Sequence, residues 1–169
     1  MPLHLAAYFG HSKVCSLIMG TLLNKNPGTN DGRTPLHFAA KNGHLEVCSH
    51  IMDTLLNKNP GDNNGSTPLH VAASYGHSKV CRLIMNTLLN KNPGNNFGLT
   101  PLHTAAVNGY SKVCNLIMET LVDKNPGDNN AITPLHFTAR NGHADVCSLI
   151  METIEDKNPG DNNAVTPLT

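Results

Sequence analysis

No sign of charge dominates this chain: twelve Lys and Arg balance twelve Asp and Glu over 169 residues, and no block of like charge forms anywhere. A polyanion such as nucleic acid, or an anionic membrane surface, has nothing to grip, so neither is expected as a partner. No apolar stretch approaches the roughly 18 residues of a membrane span, and the first residues lack the basic-then-apolar order of a signal peptide. A soluble, intracellular chain, cytoplasmic or nuclear, is the expectation. Catalytic signatures are missing as well. No nucleophile stands beside a base and an orienting group, and no glycine loop is built to cradle phosphate, so neither catalysis nor a cofactor is expected.

Cysteine is present but has no pattern of pairing. Cys15, Cys48, Cys81, Cys114 and Cys147 follow one another at a constant step of 33 residues. Equivalent positions on stacked helices lie about 8–10 Å apart, beyond the roughly 7 Å Cα limit for a disulfide. Five free thiols are therefore expected, which suits a reducing compartment. His11/Cys15, His44/Cys48, His77/Cys81 and His143/Cys147 are spaced i, i+4 and offer two zinc ligands each. Structural zinc needs four that converge, and these cysteines also occupy an apolar stripe, so no metal is expected.

What the chain does contain is repetition. Pro2, Pro35, Pro68, Pro101, Pro134 and Pro167 keep the same 33-residue step, as do Met19, Met52, Met85, Met118 and Met151, with no insertion or deletion anywhere. An uninterrupted register means a stack of equal units. Within one unit, Thr34 is a good N-cap and Pro35 suits the first helical position, where its missing N–H costs nothing. Leu36, Phe38, Ala39 and Ala40 form the inner side of a helix of about two turns, ended by Gly43 in the left-handed conformation. Such a helix is marginal alone and must be held by its neighbours.

After Gly43-His44, Val47, Cys48, Ile51, Met52, Leu55 and Leu56 form two interleaved i, i+4 rows, which predict a second helix from about Leu45 to about Asn57. Asn59-Pro60-Gly61 then turns the chain sharply, and Asp62-Asn63-Asn64-Gly65 continues the turn. Asn64-Gly65-Ser66 also fits a glycosylation sequon, but the same residues are explained as turn chemistry.

A unit of turn, T-P-L-H-x-A-A, helix, G-H, helix at this period resembles the ankyrin repeat. The T-P-L-H element stands whole at 34–37, 67–70, 100–103 and 133–136 and lacks only Thr at Met1-Pro2-Leu3-His4. Gly-His recurs at 10–11, 43–44, 76–77 and 142–143, with Gly109-Tyr110 the exception. The resemblance covers nearly the whole chain. It implies an all-α solenoid, a single domain over 1–169 with repeats at about 1–33, 34–66, 67–99, 100–132 and 133–165, followed by the start of a sixth. It also implies structural roles for His4, His37, His70, His103 and His136, and for His11, His44, His77 and His143. Asn26, Asn59, Asn92, Asn125 and Asn158 fall where members of that family are hydroxylated, a match that is loose here.

Two departures from the family pattern stand out. Leu55-Leu56-Asn57-Lys58-Asn59-Pro60 replaces the usual Gly-Ala-Asp close, which suggests a longer second helix and a shorter finger. Ala131 and Ala164 replace Gly32, Gly65 and Gly98 at a turn position where a left-handed residue is wanted. The chain opens inside a repeat and stops at Thr166-Pro167-Leu168-Thr169 without polar caps. A fragment of a longer array, or end faces that stack on another copy, would account for that.

Comparing the units with one another separates positions the stack dictates from positions it leaves free. The free ones are Asp31, Arg33, Lys41 and Asn42; Asn64, Ser66, Ser74 and Tyr75; Phe97, Leu99, Val107 and Asn108; and Asn130, Ile132, Arg140 and Asn141. Tyr8 and Phe9 are their equivalents in the opening unit. These places resemble the concave contact surface of ankyrin repeats, which implies a non-catalytic module binding a protein or peptide there. Tyr75, Phe97 and Val107 are expected at its apolar centre, joined by Leu99 and Ile132 unless these two fill space beneath the finger. Arg33, Lys41 and Arg140 are expected at its flanks. A structural spacer or self-associating array, and the ankyrin portion of a larger enzyme, channel or effector, remain the alternatives. His50 replaces a leucine found in the other units and is expected to be partly exposed.

Overall fold

The computed structural model describes residues 1–167, and every regular element among them is helical. Ten helices alternate short first and second members: α1 (Pro2–Tyr8), α2 (Ser12–Thr21), α3 (Pro35–Lys41), α4 (Leu45–Asp53), α5 (Pro68–Ser74), α6 (Ser78–Met85), α7 (Pro101–Val107), α8 (Ser111–Met118), α9 (Pro134–Asn141) and α10 (Ala144–Met151). Each first helix packs on the first helices before and after it, each second helix likewise, and the two members of a pair pack on each other. That sequential order is a solenoid. The expected opening of a sixth first helix reaches Leu168 and Thr169, which lie outside the described residues.

The start of each first helix shows why a seven-residue segment can be helical here. In α5 the proline at N1 has no donor to satisfy. The amide of Leu69 donates to Asn59 Oδ1 at 3.0 Å, that of His70 to Thr67 Oγ1 at 3.5 Å, and that of Val71 to the Thr67 carbonyl at 3.1 Å. The amides normally orphaned at a helix start are thus all used. His70 closes the arrangement: its Nδ1 accepts the Thr67 amide at 3.1 Å, and its Nε2 faces the carbonyl of Leu99, just ahead of the next first helix, at 2.9 Å. Because a backbone amide can only donate, the ring proton sits on Nε2, where it bonds that carbonyl. His37 to Ser66, His103 to Ile132 and His136 to Val165 repeat the link.

The second helices are shorter than the apolar rows predict. α4 ends at Asp53, not near Asn57, because other groups take its last carbonyls: the Thr54 hydroxyl bonds Ile51 O at 2.8 Å, and the Lys58 ammonium bonds Met52 O. Asn57 Oδ1 then accepts the Asn59 amide at 3.0 Å, folding the chain back. Leu55 is half-buried, whereas Leu56 points into solvent. Thr87 with Lys91 and Thr153 with Lys157 cap α6 and α10 in the same way. The longer-helix reading is therefore corrected. The finger is a sequence of turns with no strand among the described residues.

The core is a ladder of small and branched aliphatics. Leu36, Leu69, Leu102 and Leu135 are fully buried between first helices, with paired alanines such as Ala72-Ala73 allowing close approach. Ile51, Ile84, Ile117 and Ile150 do the same for second helices. At about 1.5–3 kcal/mol per buried Leu or Ile, contacts between units outweigh anything a two-turn helix gains alone. Gly43, at φ +71°, ends the first helix, and a Cβ there would meet the His77 ring at 2.6 Å. Ala131 and Ala164 hold φ near 60° where their equivalents are glycine.

Candidate functional site

The turn tips between repeats are rigid by construction. Asp62 Oδ1 accepts the amides of Asn64 at 2.9 Å and Ser66 at 3.0 Å, while the Gly65 amide bonds the Asp62 carbonyl at 2.8 Å. Asn95, Asp128 and Asp161 build the same turn. Each tip also clamps the one before it. The Asn63 amide bonds Asp31 O at 3.1 Å and its Nδ2 bonds Asn30 O at 3.0 Å, and the pattern continues at Asn96, Asn129 and Asn162. With the backbone so committed, the side chains of Asp31, Asn64, Phe97 and Asn130 are left projecting and exposed.

The candidate residues do not all stand free. Asn42, Asn108 and Asn141 use their amides on helix carbonyls, bonding Phe38 O at 3.1 Å, Thr104 O at 2.8 Å and Val107 O at 2.8 Å. Ser66 Oγ accepts from Asn95 and Ser74 Oγ from Asn108. Arg33 Nε lies 3.2 Å from Asp31 and 3.8 Å from Asp62. The Thr29 hydroxyl, with help from Arg33, holds the Asp31 carboxyl below the usual range.

Three places gather candidate side chains. The Lys41 ammonium lies 5.4 Å over the Tyr75 ring, and both line a cleft of about 110 Å³ with Arg33, His37, Phe38 and Val71. Ile132 and Arg140 share a wider one of about 550 Å³ with His136, Ala139 and Val165. Tyr8 and Phe9, ring centroids 5.0 Å apart, meet Leu5 and Phe38 in a third. Phe97 stands on its turn tip, 55% exposed, whereas Leu99 and Val107 are half-buried.

Leu5, Phe38, Val71, Thr104 and Phe137 hold one repeat position, which the sequence pattern places, at Phe38, on the inner side of the helix. Leu5 is exposed, the other four are half-buried, and Phe38 and Val71 line the cleft beside Tyr75. Variation of x in T-P-L-H-x-A-A was the signal that marks this position. His50 is exposed on α4.

His44, His77, His143 and the buried cysteines serve the scaffold. His44, His77 and His143 place Nε2 2.9 Å from the carbonyls of Tyr8, Lys41 and Val107, one repeat back. All five thiols are free; burial pushes those of Cys48, Cys81 and Cys114 up to about 12 and raises that of Cys15. Unreactive packing groups result. Among the described residues, no three of His, Cys, Asp and Glu converge as metal ligands would. No helix among them is long and apolar enough to cross a membrane.

Stacked helix pairs, a histidine link at the first helices α3, α5, α7 and α9, and tip-to-tip turns define a helical repeat scaffold. The model of ankyrin repeats in three copies matches residues 1–54 and 49–128, and that of the single ankyrin repeat matches 130–162. The chain belongs to the ankyrin repeat family. No curated protein matches it significantly. Ankyrin repeats are generally protein–protein interaction modules and typically not catalytic.

Proposed function

We propose that the chain is a single domain of five repeats that acts, without catalysis, in the cytoplasm or nucleus, by binding a protein or peptide across its turn tips and first helices. Tyr8, Phe9, Tyr75 and Phe97 serve as anchors, with Arg33, Lys41 and Arg140 beside them. One observation supports this most: every fully buried apolar side chain is aliphatic or sulfur-bearing, and no Phe or Tyr is among them. The fully buried core uses no Phe or Tyr, yet Tyr75 is 46% and Phe97 55% exposed on this face. Rigid aromatic side chains are favoured contact anchors because little rotamer freedom is lost when they bind.

Peptides selected from a displayed library against the wild-type chain test the reading. Their affinity should fall at least about tenfold for Tyr75→Ala and Phe97→Ala, as expected of hot-spot truncation, while melting temperatures hold. Selected peptides that bind both variants at wild-type strength would overturn it.

A further inference from the structure

A cleft of about 430 Å³ opens on the second helices, formed by α4, α6 with its C-cap Asn86, and α8. Leu45, Leu83 and Leu116 supply its apolar surface, with Leu116 buried and Leu83 half-buried. Lys79, Arg82 and Lys112 stand exposed around them, and no carboxylate lines the cleft. None of these cations makes an ion pair among the described residues; the ion pairs there belong to Arg33.

Two of the three cations oppose the local electrostatics. Lys79 and Lys112 are the second residues of α6 and α8, where unpaired amides and the positive end of the helix dipole favour a carboxylate. Glu46 in α4 and Asp145 in α10 hold the same place in their repeats and obey that preference. Lys13 in α2 departs likewise, outside the cleft. The stack gains nothing from a positive charge at 79 and 112, whereas a negatively charged partner gains from both.

We propose that this cleft is a second docking site, for an acidic segment of a partner protein carrying one aliphatic side chain between two carboxylates. In an extended chain, residues four apart share a face and stand about 13 Å apart. Flexible lysines on helices about 10 Å apart can meet both. The aliphatic group then covers Leu83 and Leu116, with Arg82 beside it. Glu46 and Asp145 flank the basic stretch on either side and repel a segment set one repeat out of place. Nucleic acid is disfavoured, since the cleft has no aromatic ring to stack a base and only three cations. A bilayer is disfavoured too, because Leu83 and Leu116 are sunk between helices and do not project.

The test is an amide-shift titration of the isotope-labelled chain with the peptide Glu-Ser-Leu-Ser-Glu, Lys-Ser-Leu-Ser-Lys being the control. Saturable binding of the acidic peptide alone is expected, with shifts on α6 and α8. Affinity should drop about tenfold in high salt and in the double variant Lys79→Glu/Lys112→Glu. The variant should melt no lower than wild type, because its new carboxylates suit the helix dipoles, so lost binding is not lost folding. No saturable binding at millimolar peptide, equal binding by the variant, or shifts centred on Tyr75 and Phe97 would each overturn the proposal. So would tighter, equally variant-sensitive binding of an oligonucleotide or of phosphatidylserine vesicles.

Discussion

His77 Nε2 lies 2.9 Å from the carbonyl oxygen of Lys41, 36 positions earlier in the chain. The bond joins the start of one second helix to the end of the first helix one repeat back. Tyr110 holds the equivalent place beside Gly76 and has no ring nitrogen to offer the Ser74 carbonyl. His77→Ala should cost about 1–2 kcal/mol in urea denaturation, and Tyr110→His should add about 1 kcal/mol. A Tyr110→His chain no more stable than wild type would show that the link adds little beyond ring packing.

Asn92 and Leu102 make a second such test. The buried Asn92 amide oxygen accepts the Leu102 amide at 2.9 Å, supplying α7 with a partner that its own N-cap threonine cannot reach. Asn92→Ala leaves a buried donor unpaired, so a loss of about 1–3 kcal/mol is expected. Hydrogen exchange should show the Leu102 amide losing protection first.

Acid should weaken the stack before its carboxylates titrate. His37, His70 and His103 are buried with Nδ1 accepting a backbone amide, an arrangement only the neutral ring can make. Burial lowers all three, His70 to about 4. The unfolded chain binds these protons near pH 6.5 while the folded one does not, so stability is full above that value and declines as pH falls toward 4. Urea denaturation from about pH 7 to about pH 5 should show a loss on the order of a few kcal/mol. A flat profile over that range would contradict the neutral-ring cap.

Ala131 and Ala164 sit at φ 60° where Gly32, Gly65 and Gly98 hold φ between +74° and +80°. Beside Ala131, the amide link from Asn162 to Asn129 O is 3.5 Å long, against 3.0 Å from Asn129 to Asn96 O beside Gly98. Ala131→Gly should raise stability by about 1 kcal/mol, the usual cost of a Cβ in the left-handed region. Differential scanning calorimetry is sufficient to see it.

The solenoid was legible because its rules are local and repeated: Thr-Pro starts a helix, Gly at positive φ ends it, and a constant step forces like onto like. The end of each second helix was not, because it is set by where Thr54 and Lys58 send their polar ends. Leu55 and Leu56 continue the apolar rows beyond the point where the helix stops. On the candidate surface, the exposure of Tyr75 and Phe97 could be read from their variation among units. The meeting of Lys41 with Tyr75 could not, since it depends on how adjacent units sit side by side. Nor could the use of Asn42, Asn108 and Asn141 on helix carbonyls, since the same amide could as well have faced outward.

The sulfur ladder gives each repeat its own reporter. Cys15, Cys48, Cys81 and Cys114 are sealed from solvent, while Cys147 is partly open. Alkylation of any sealed one must wait for its own helix pair to come apart. Mass spectrometry of a time course in iodoacetamide would then record which layer unzips first and which last.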